Sequence, residues 1–214
     1  MKHCIFDLDG TLLDTLADLH SAVNHALRMN AMPEHSIDEV RWMVGNGVRK
    51  LMQRAVPEGE ANPLFEKTFA DFRSYYSEHS LDTTKPYDGI LQLLAALKGR
   101  GVRMAVVSNK MDSATKPLVK SFFGDYIDVA IGECESEGIK RKPAPDMVFK
   151  AIREMGVKAE DCVYIGDSDV DLQTARNSNL PCISVLWGFR DKEFLANIGA
   201  DCFVETPMDI LSNF

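Results

Sequence analysis

Near the start of the chain, Cys4-Ile5-Phe6-Asp7-Leu8-Asp9-Gly10 runs from an apolar stretch into two aspartates two positions apart. The apolar residues read as a short buried strand. Gly10 then lets the chain turn away at little steric cost. In a continued strand the two carboxylates would point to one face. At about 4 Å and an effective dielectric of about 20 they would repel by roughly 4 kcal/mol. A fold that accepts this stretch must supply positive charge at the end of its first strand, and a divalent cation with oxygen ligands is a candidate.

The remaining chain divides into two styles. From Thr15 to about Thr84 the pattern is helical and no convincing strand occurs. Leu16, Leu19, Val23, Ala26 and Leu27 recur at helix spacing. Ser36-Ile37-Asp38-Glu39 has the form of a capping box before a second helix, which stops at Gly45-Asn46-Gly47. A short helix follows, and a longer one is expected over about 64–79. From Lys85-Pro86-Tyr87 onward, strands alternate with helices. The strands expected are 104–107, 126–131 (weaker), 162–165, 182–185 and 202–204, with helices near 90–98, 113–122, 143–155, 172–177 and 193–198. Such alternation indicates an α/β fold, a doubly wound parallel sheet of Rossmann-like form. The expected organisation is a core of residues 1–14 and 87–214, with an all-helical cap domain, 15–86, inserted after the first strand. Ligands of such sheets bind at the carboxyl ends of the strands.

Four polar clusters fall at those ends or at a helix start: Asp7 with Asp9, then Ser108, then Lys142 in Arg141-Lys142-Pro143-Ala144-Pro145-Asp146, then Asp167 with Asp171. Alone, Ser108 reads as an ordinary loop serine and Lys142 as a solvated charge. In this order and spacing the set resembles the four signature motifs of the haloacid dehalogenase (HAD) superfamily over about residues 2–185. The resemblance implies a magnesium-dependent phosphatase. Asp7 would attack phosphorus, and Asp9 would protonate the leaving oxygen and later take a proton from water. Ser108, Lys142 and backbone amides near Leu8 and Asn109 would hold the phosphoryl oxygens. By the same resemblance, Asp7, the Asp9 carbonyl and Asp167 would bind Mg2+, and Asp171 would act through a water or orient Lys142. Thr11 would support the turn and help orient Asp9, while Asp14 and Asp169 would be exposed or capping residues. Dehalogenases of this fold lack the second aspartate and need no metal, so Asp9 and Asp167 point to phosphoryl transfer.

Asp-Gly-Thr-Leu-Leu-Asp-Thr, Val44-Gly45-Asn46-Gly47-Val48, Ser108-Asn109-Lys110 and Val185-Leu186-Trp187-Gly188 together resemble the phosphoglycolate phosphatase branch. That likeness makes Gly45, Asn46 and Gly47 a substrate loop of the cap, with Arg49 or Lys50 reaching a second anionic group. The plain alternative is a helix–helix turn beside surface charges. A sugar-phosphate mutase, a pyrophosphatase, or a phosphonate hydrolase with Lys50 or Lys67 as Schiff base would use the same core. A non-enzymatic binding protein on a degenerate core would have lost one of Asp7, Asp9, Lys142 or Asp167, and all four are present.

A net charge of -8 argues against nonspecific nucleic-acid binding. No apolar run approaches the ~20 residues of a membrane span, and the acidic start does not resemble a signal peptide, so a cytoplasmic location is expected. Five cysteines without a Cys-x-x-Cys pair suggest neither a disulfide framework nor a zinc site. The partner expected is a small phosphorylated metabolite, for a monomer or homodimer.

Overall fold

The computed structural model describes residues 2–214 and separates them into two compact units, one of residues up to Leu12 and from Pro86 to Phe214, the other Leu13–Lys85.

The first unit is built on strand β1, His3–Phe6. Cys4, Ile5 and Phe6 have no exposed surface, as a strand covered on both faces requires. A short ribbon pairs β2, Leu13–Asp14, with β3, Lys85–Pro86. In the second unit, helices α1 (Leu16–Met29), α2 (Ile37–Met43), α3 (Val48–Ala55) and α4 (Phe65–His79) follow in turn. α1 and α4 pack on each other. The Ser36–Glu39 capping box forms as the sequence indicates: the Ser36 N–H donates to Glu39 at 2.7 Å, and the Glu39 N–H donates back to the Ser36 hydroxyl at 3.3 Å. Buried Asp18 on α1 accepts bonds from the N–H and hydroxyl groups of both Thr83 and Thr84, tying the end of the unit to its beginning.

Back in the first unit come α5 (Ile90–Gly99), β4 (Met104–Met111), α6 (Asp112–Phe123) and β5 (Val129–Glu133). They are followed by α7 (Asp146–Met155), β6 (Cys162–Gly166), α8 (Asp169–Asn177), β7 (Cys182–Val185), α9 (Lys192–Asn197) and β8 (Phe203–Val204). Six strands form one sheet in the order β5-β4-β1-β6-β7-β8, and every pairing between neighbours is parallel. This is the expected α/β doubly wound architecture. α7 closes one side with Met147, Val148, Ala151, Ile152 and Met155, against Ile5, Val107 and Tyr164.

Three expectations need correcting. β4 does not end at Val107 but continues to Met111. Its register on β5 slips between Val107 and Met111, so Ser108-Asn109-Lys110 occupies an irregular stretch of strand. β5 begins at Val129 rather than Tyr126, because Tyr126 and Ile127 close a turn onto the Phe123 carbonyl. α8 begins at Asp169 rather than Leu172, because Ser168 is its N-cap and Asp171 its third residue in a reciprocal capping box.

Candidate active site

The strand order reverses at β1. The chain builds outward through β4 and β5 on one side, then β6, β7 and β8 on the other. Such a reversal opens a crevice at the carboxyl ends of the two central strands. Here those strands are β1 and β6, with Phe6 opposite Ile165 and the Asp7 N–H donating to the Ile165 carbonyl at 2.9 Å. Asp7 and Asp167, 160 positions apart in the chain, therefore leave the sheet side by side.

Lys142 joins them from the loop before α7. Its Nζ lies 2.7 Å from Asp7 Oδ1 and 2.7 Å from Asp171 Oδ1, and it donates to the Tyr164 hydroxyl at 3.1 Å. Far from being a solvated charge, Lys142 is 3% exposed. Burial alone would lower its pKa, but Asp171 and Asp7 outweigh burial and raise it, so it stays an ammonium. Asp171 is held at both oxygens. Oδ1 receives Lys142 and the Tyr164 hydroxyl (3.1 Å); Oδ2 receives the Ser168 hydroxyl (2.6 Å) and N–H (3.1 Å).

Asp167 is oriented just as firmly. The Thr11 hydroxyl donates to Oδ1 at 2.9 Å and the Phe189 N–H to Oδ2 at 2.8 Å. The expectation that Thr11 supports the turn and helps orient Asp9 meets a different partner, since its hydroxyl donates to Asp167. Gly10 has φ +91°, and a Cβ there would stand 2.5 Å from Asp167 Oδ2, so the turn requires glycine for both backbone and space. The loop after β7 closes over this corner, with Trp187 Nε1 donating to the Thr11 carbonyl at 2.9 Å.

The irregular end of β4 supplies the remaining side. The Ser108 hydroxyl, 2% exposed, accepts the Lys110 N–H at 3.1 Å. Asn109 Nδ2 donates to the Lys142 carbonyl at 3.1 Å, joining the second cluster to the third. Lys110 Nζ contacts both oxygens of Asp9, at 3.1 and 3.0 Å. Asp169, expected to be exposed or capping, is ion-paired to Arg190 at 3.2 Å, and Asp14 accepts the Leu16 N–H at 3.4 Å.

One carboxylate oxygen from each of Asp7, Asp167 and Asp171 lies within 4.8 Å of the others. Burial first, then the charge of Asp171, pushes Asp167 up to about 7. The same two causes raise Asp7 well above the usual carboxylate range, against the pull of Lys142. Four carboxylates (Asp7, Asp9, Asp167, Asp171) against two ammonium groups (Lys110, Lys142) leave two negative charges when all are ionised. The donors are carboxylate oxygens and the surplus charge matches one divalent cation, so the residues suit magnesium.

The loop residues of the helical unit lie in a different setting. Gly45 and Gly47 have φ of +125° and +83°, and Gly47 is the N-cap of α3. Arg54 braces the turn by donating to Asn46 Oδ1 at 2.7 Å and to the Met43 carbonyl at 2.5 Å. Arg49 pairs with Glu60 (2.8 Å) and Glu66 (2.6 Å) and lies over the rings of Phe65 and Phe69. Lys50 is exposed and donates to Gln53; Lys67 donates to Asn30 and Asp71.

Tyr164, Ser168, Lys110 and Phe189 escaped the sequence reading as site residues. In sequence Tyr164 is indistinguishable from the other residues of a buried strand, Cys162-Val163-Tyr164-Ile165. Ser168 carried a usable signal, since Ser168-x-x-Asp171 has the spacing of a capping box. The Phe189 contribution is a backbone N–H, which leaves no mark in sequence.

A family model described as haloacid dehalogenase-like hydrolase matches residues 4–185. A phosphoglycolate phosphatase of Aquifex aeolicus is 31% identical over 191 residues, 88% of this chain and 86% of its own length. An N-acetylmuramic acid 6-phosphate phosphatase of Pseudomonas aeruginosa is 29% identical over 99% of this chain and 93% of its own. Among solved structures, a candidate phosphoglycolate phosphatase from Lactobacillus delbrueckii subsp. bulgaricus superimposes with TM-score 0.93 at 38% identity, covering 98% of this chain and 96% of the other.

Proposed function

This chain belongs to the haloacid dehalogenase-like hydrolases, and we propose that it hydrolyses a small, phosphoglycolate-like phosphate monoester through an aspartyl-phosphate on Asp7. It is a phosphoric monoester hydrolase. The observation that carries the mechanism is the contact of Lys142 with Asp7 at 2.7 Å, where the central strands end.

Asp7 attacks phosphorus through a carboxylate oxygen, with Lys142 2.7 Å from Oδ1 offsetting its charge. The bond to the leaving oxygen breaks as the Asp7–phosphorus bond forms, and the leaving oxygen takes a proton from Asp9. Asp9 then removes a proton from the water that attacks the aspartyl-phosphate, which restores Asp7 and releases phosphate. Ser108, Lys142 and the backbone amides near Leu8 and Asn109 offset the charge on the phosphoryl oxygens. A magnesium ion held by Asp7, the Asp9 carbonyl and Asp167 would supply further charge neutralisation of the phosphoryl group. In this reading Asp171 orients Lys142 or reaches the metal through a water; its four hydrogen bonds support the first role.

The helical unit serves as the cap that chooses the substrate. Gly45, Asn46 and Gly47 form its loop, with Arg49 beside them. Arg54 holds Asn46 in place, whereas Arg49 already has its charge balanced by two glutamates, so Asn46 and the loop backbone are the stronger candidates for substrate contact. No helix among the described residues is long and apolar enough to cross a membrane. A cytoplasmic location and a monomeric or homodimeric state belong to the same proposal.

The test is hydrolysis of p-nitrophenyl phosphate with Mg2+, with EDTA, and by Asp7→Asn. We expect EDTA to abolish turnover and Asp7→Asn to cost on the order of 10⁴-fold or more in kcat. Activity surviving either change would overturn the mechanism. A panel of phosphoglycolate, sugar phosphates including N-acetylmuramic acid 6-phosphate, nucleotides, pyrophosphate and phosphonoacetaldehyde then assigns the substrate.

A further inference from the structure

Lys142 has a role in the mechanism above; the second ammonium of the site has none. Lys110 is 9% exposed, and its Nζ lies 3.1 and 3.0 Å from the two oxygens of Asp9. Its main chain is fixed at both ends: the N–H donates to the Ser108 hydroxyl at 3.1 Å, and the carbonyl accepts the Thr115 hydroxyl at 3.1 Å. The slip in register between Val107 and Met111 is what frees this stretch of β4 from regular pairing.

A buried lysine bears an entropy cost for its long side chain and a desolvation cost for its charge. At the end of β4 the Asp9 carboxylate offsets the second of these costs. Asp9 sits in the turn that Gly10 completes, directly before the glycine. A proton donor must stand within hydrogen-bond reach of the leaving oxygen, and a misplacement of about 1 Å can cost on the order of 10²-fold.

We propose that Lys110 is a positioning residue that holds the Asp9 carboxyl group where it meets the leaving oxygen. This rests on the assignment of Asp9 as the proton donor.

The test uses the leaving group. p-Nitrophenolate departs without a proton, whereas the alkoxide of an alkyl phosphate such as phosphoglycolate does not. Lys110→Met should lower kcat on the alkyl phosphate about 10²-fold, lower it less than about fivefold on p-nitrophenyl phosphate, and leave both KM values within about twofold. Lys110→Arg should recover part of the loss. In an Asp9→Asn background, Lys110→Met should bring no further loss on the alkyl phosphate. If Lys110→Met does not fold, as judged by circular dichroism, Lys110→Gln carries the same comparison. Equal losses on both substrates, a raised KM with kcat unchanged, or a loss that adds to that of Asp9→Asn would each overturn the proposal. Wild-type protein that hydrolyses neither substrate would overturn the proposed function itself, a separate outcome. An Asp9→Asn variant with full activity on the alkyl phosphate would remove the role of Asp9 and this proposal with it.

Discussion

The sheet end and the helical unit treat charge in opposite ways. At the sheet end, Asp7, Asp167, Asp171, Lys110 and Lys142 are all buried, and their partners come from distant segments. In the helical unit, Arg49, Glu60 and Glu66 are exposed and come from neighbouring elements. Buried charge is costly unless paired, so a cluster of it at the carboxyl ends of the strands is a candidate for chemistry. Exposed pairs contribute little and mark nothing by themselves. The one buried carboxylate of the helical unit, Asp18, is satisfied by two threonines and serves architecture.

The contrast can be broken by substitution. Lys142→Met would leave Asp7 and Asp171 buried without their cation. The expected cost is about 3–5 kcal/mol in urea unfolding, together with loss of phosphatase activity. A stability change within about 1 kcal/mol would mean that the cluster does not need its ammonium.

The same cluster predicts how stability responds to pH. In metal-free protein, Asp167 is pushed up to about 7 and Asp7 is raised, both first by burial. An unfolded aspartate titrates near about 3.9. Between those values the folded state binds more protons than the unfolded state, so this contribution to stability falls as pH rises from about 4 through about 7. A bound divalent cation takes the place of those protons. Mg2+ should therefore raise Tm more at pH 8 than at pH 5.5; equal increments at the two pH values would contradict the metal site.

Asp18→Asn probes the architectural carboxylate. Burial opposes its charge, but hydrogen bonds from Thr83 and Thr84 hold its pKa below the usual value. Its stabilisation is present above about pH 4 and is lost as pH falls through the lowered pKa. The substitution should cost about 1–3 kcal/mol and speed hydrogen exchange in residues 15–84 more than in the sheet. Uniform acceleration across both units would show that they unfold together. The smallest effect belongs to Arg49→Ala, for which a barely detectable change in Tm is expected. A rise in KM for phosphoglycolate with p-nitrophenyl phosphate unchanged would instead place Arg49 against the substrate.

Much of the core was legible because its signals are local. Apolar runs up to Phe6, Val107 and Ile165 mark strands of the sheet, and alternation with helices makes the sheet parallel. In the helical unit, the Ser36–Glu39 box was readable for the same reason. The start of α8 is hidden locally because Asp169 and Asp171 have the pattern of loop acids, and only the Ser168 cap makes them its first turn. That Ser108-Asn109-Lys110 belongs to β4 is not legible locally, because a register slip depends on the neighbouring strand.

By itself the sequence determined that four polar clusters would stand at the ends of parallel strands or at a helix start, since apolar periodicity and turn chemistry are written in adjacent residues. Only the tertiary structure decided which of those groups touch. Lys142 reaches Asp7, and Lys110 reaches Asp9 from 101 positions away. The strand order β5-β4-β1-β6-β7-β8 brings them together. A carboxylate can be paired by any lysine the chain folds beside it. Which lysine does so is settled by long-range packing, and no local pattern of residues encodes it.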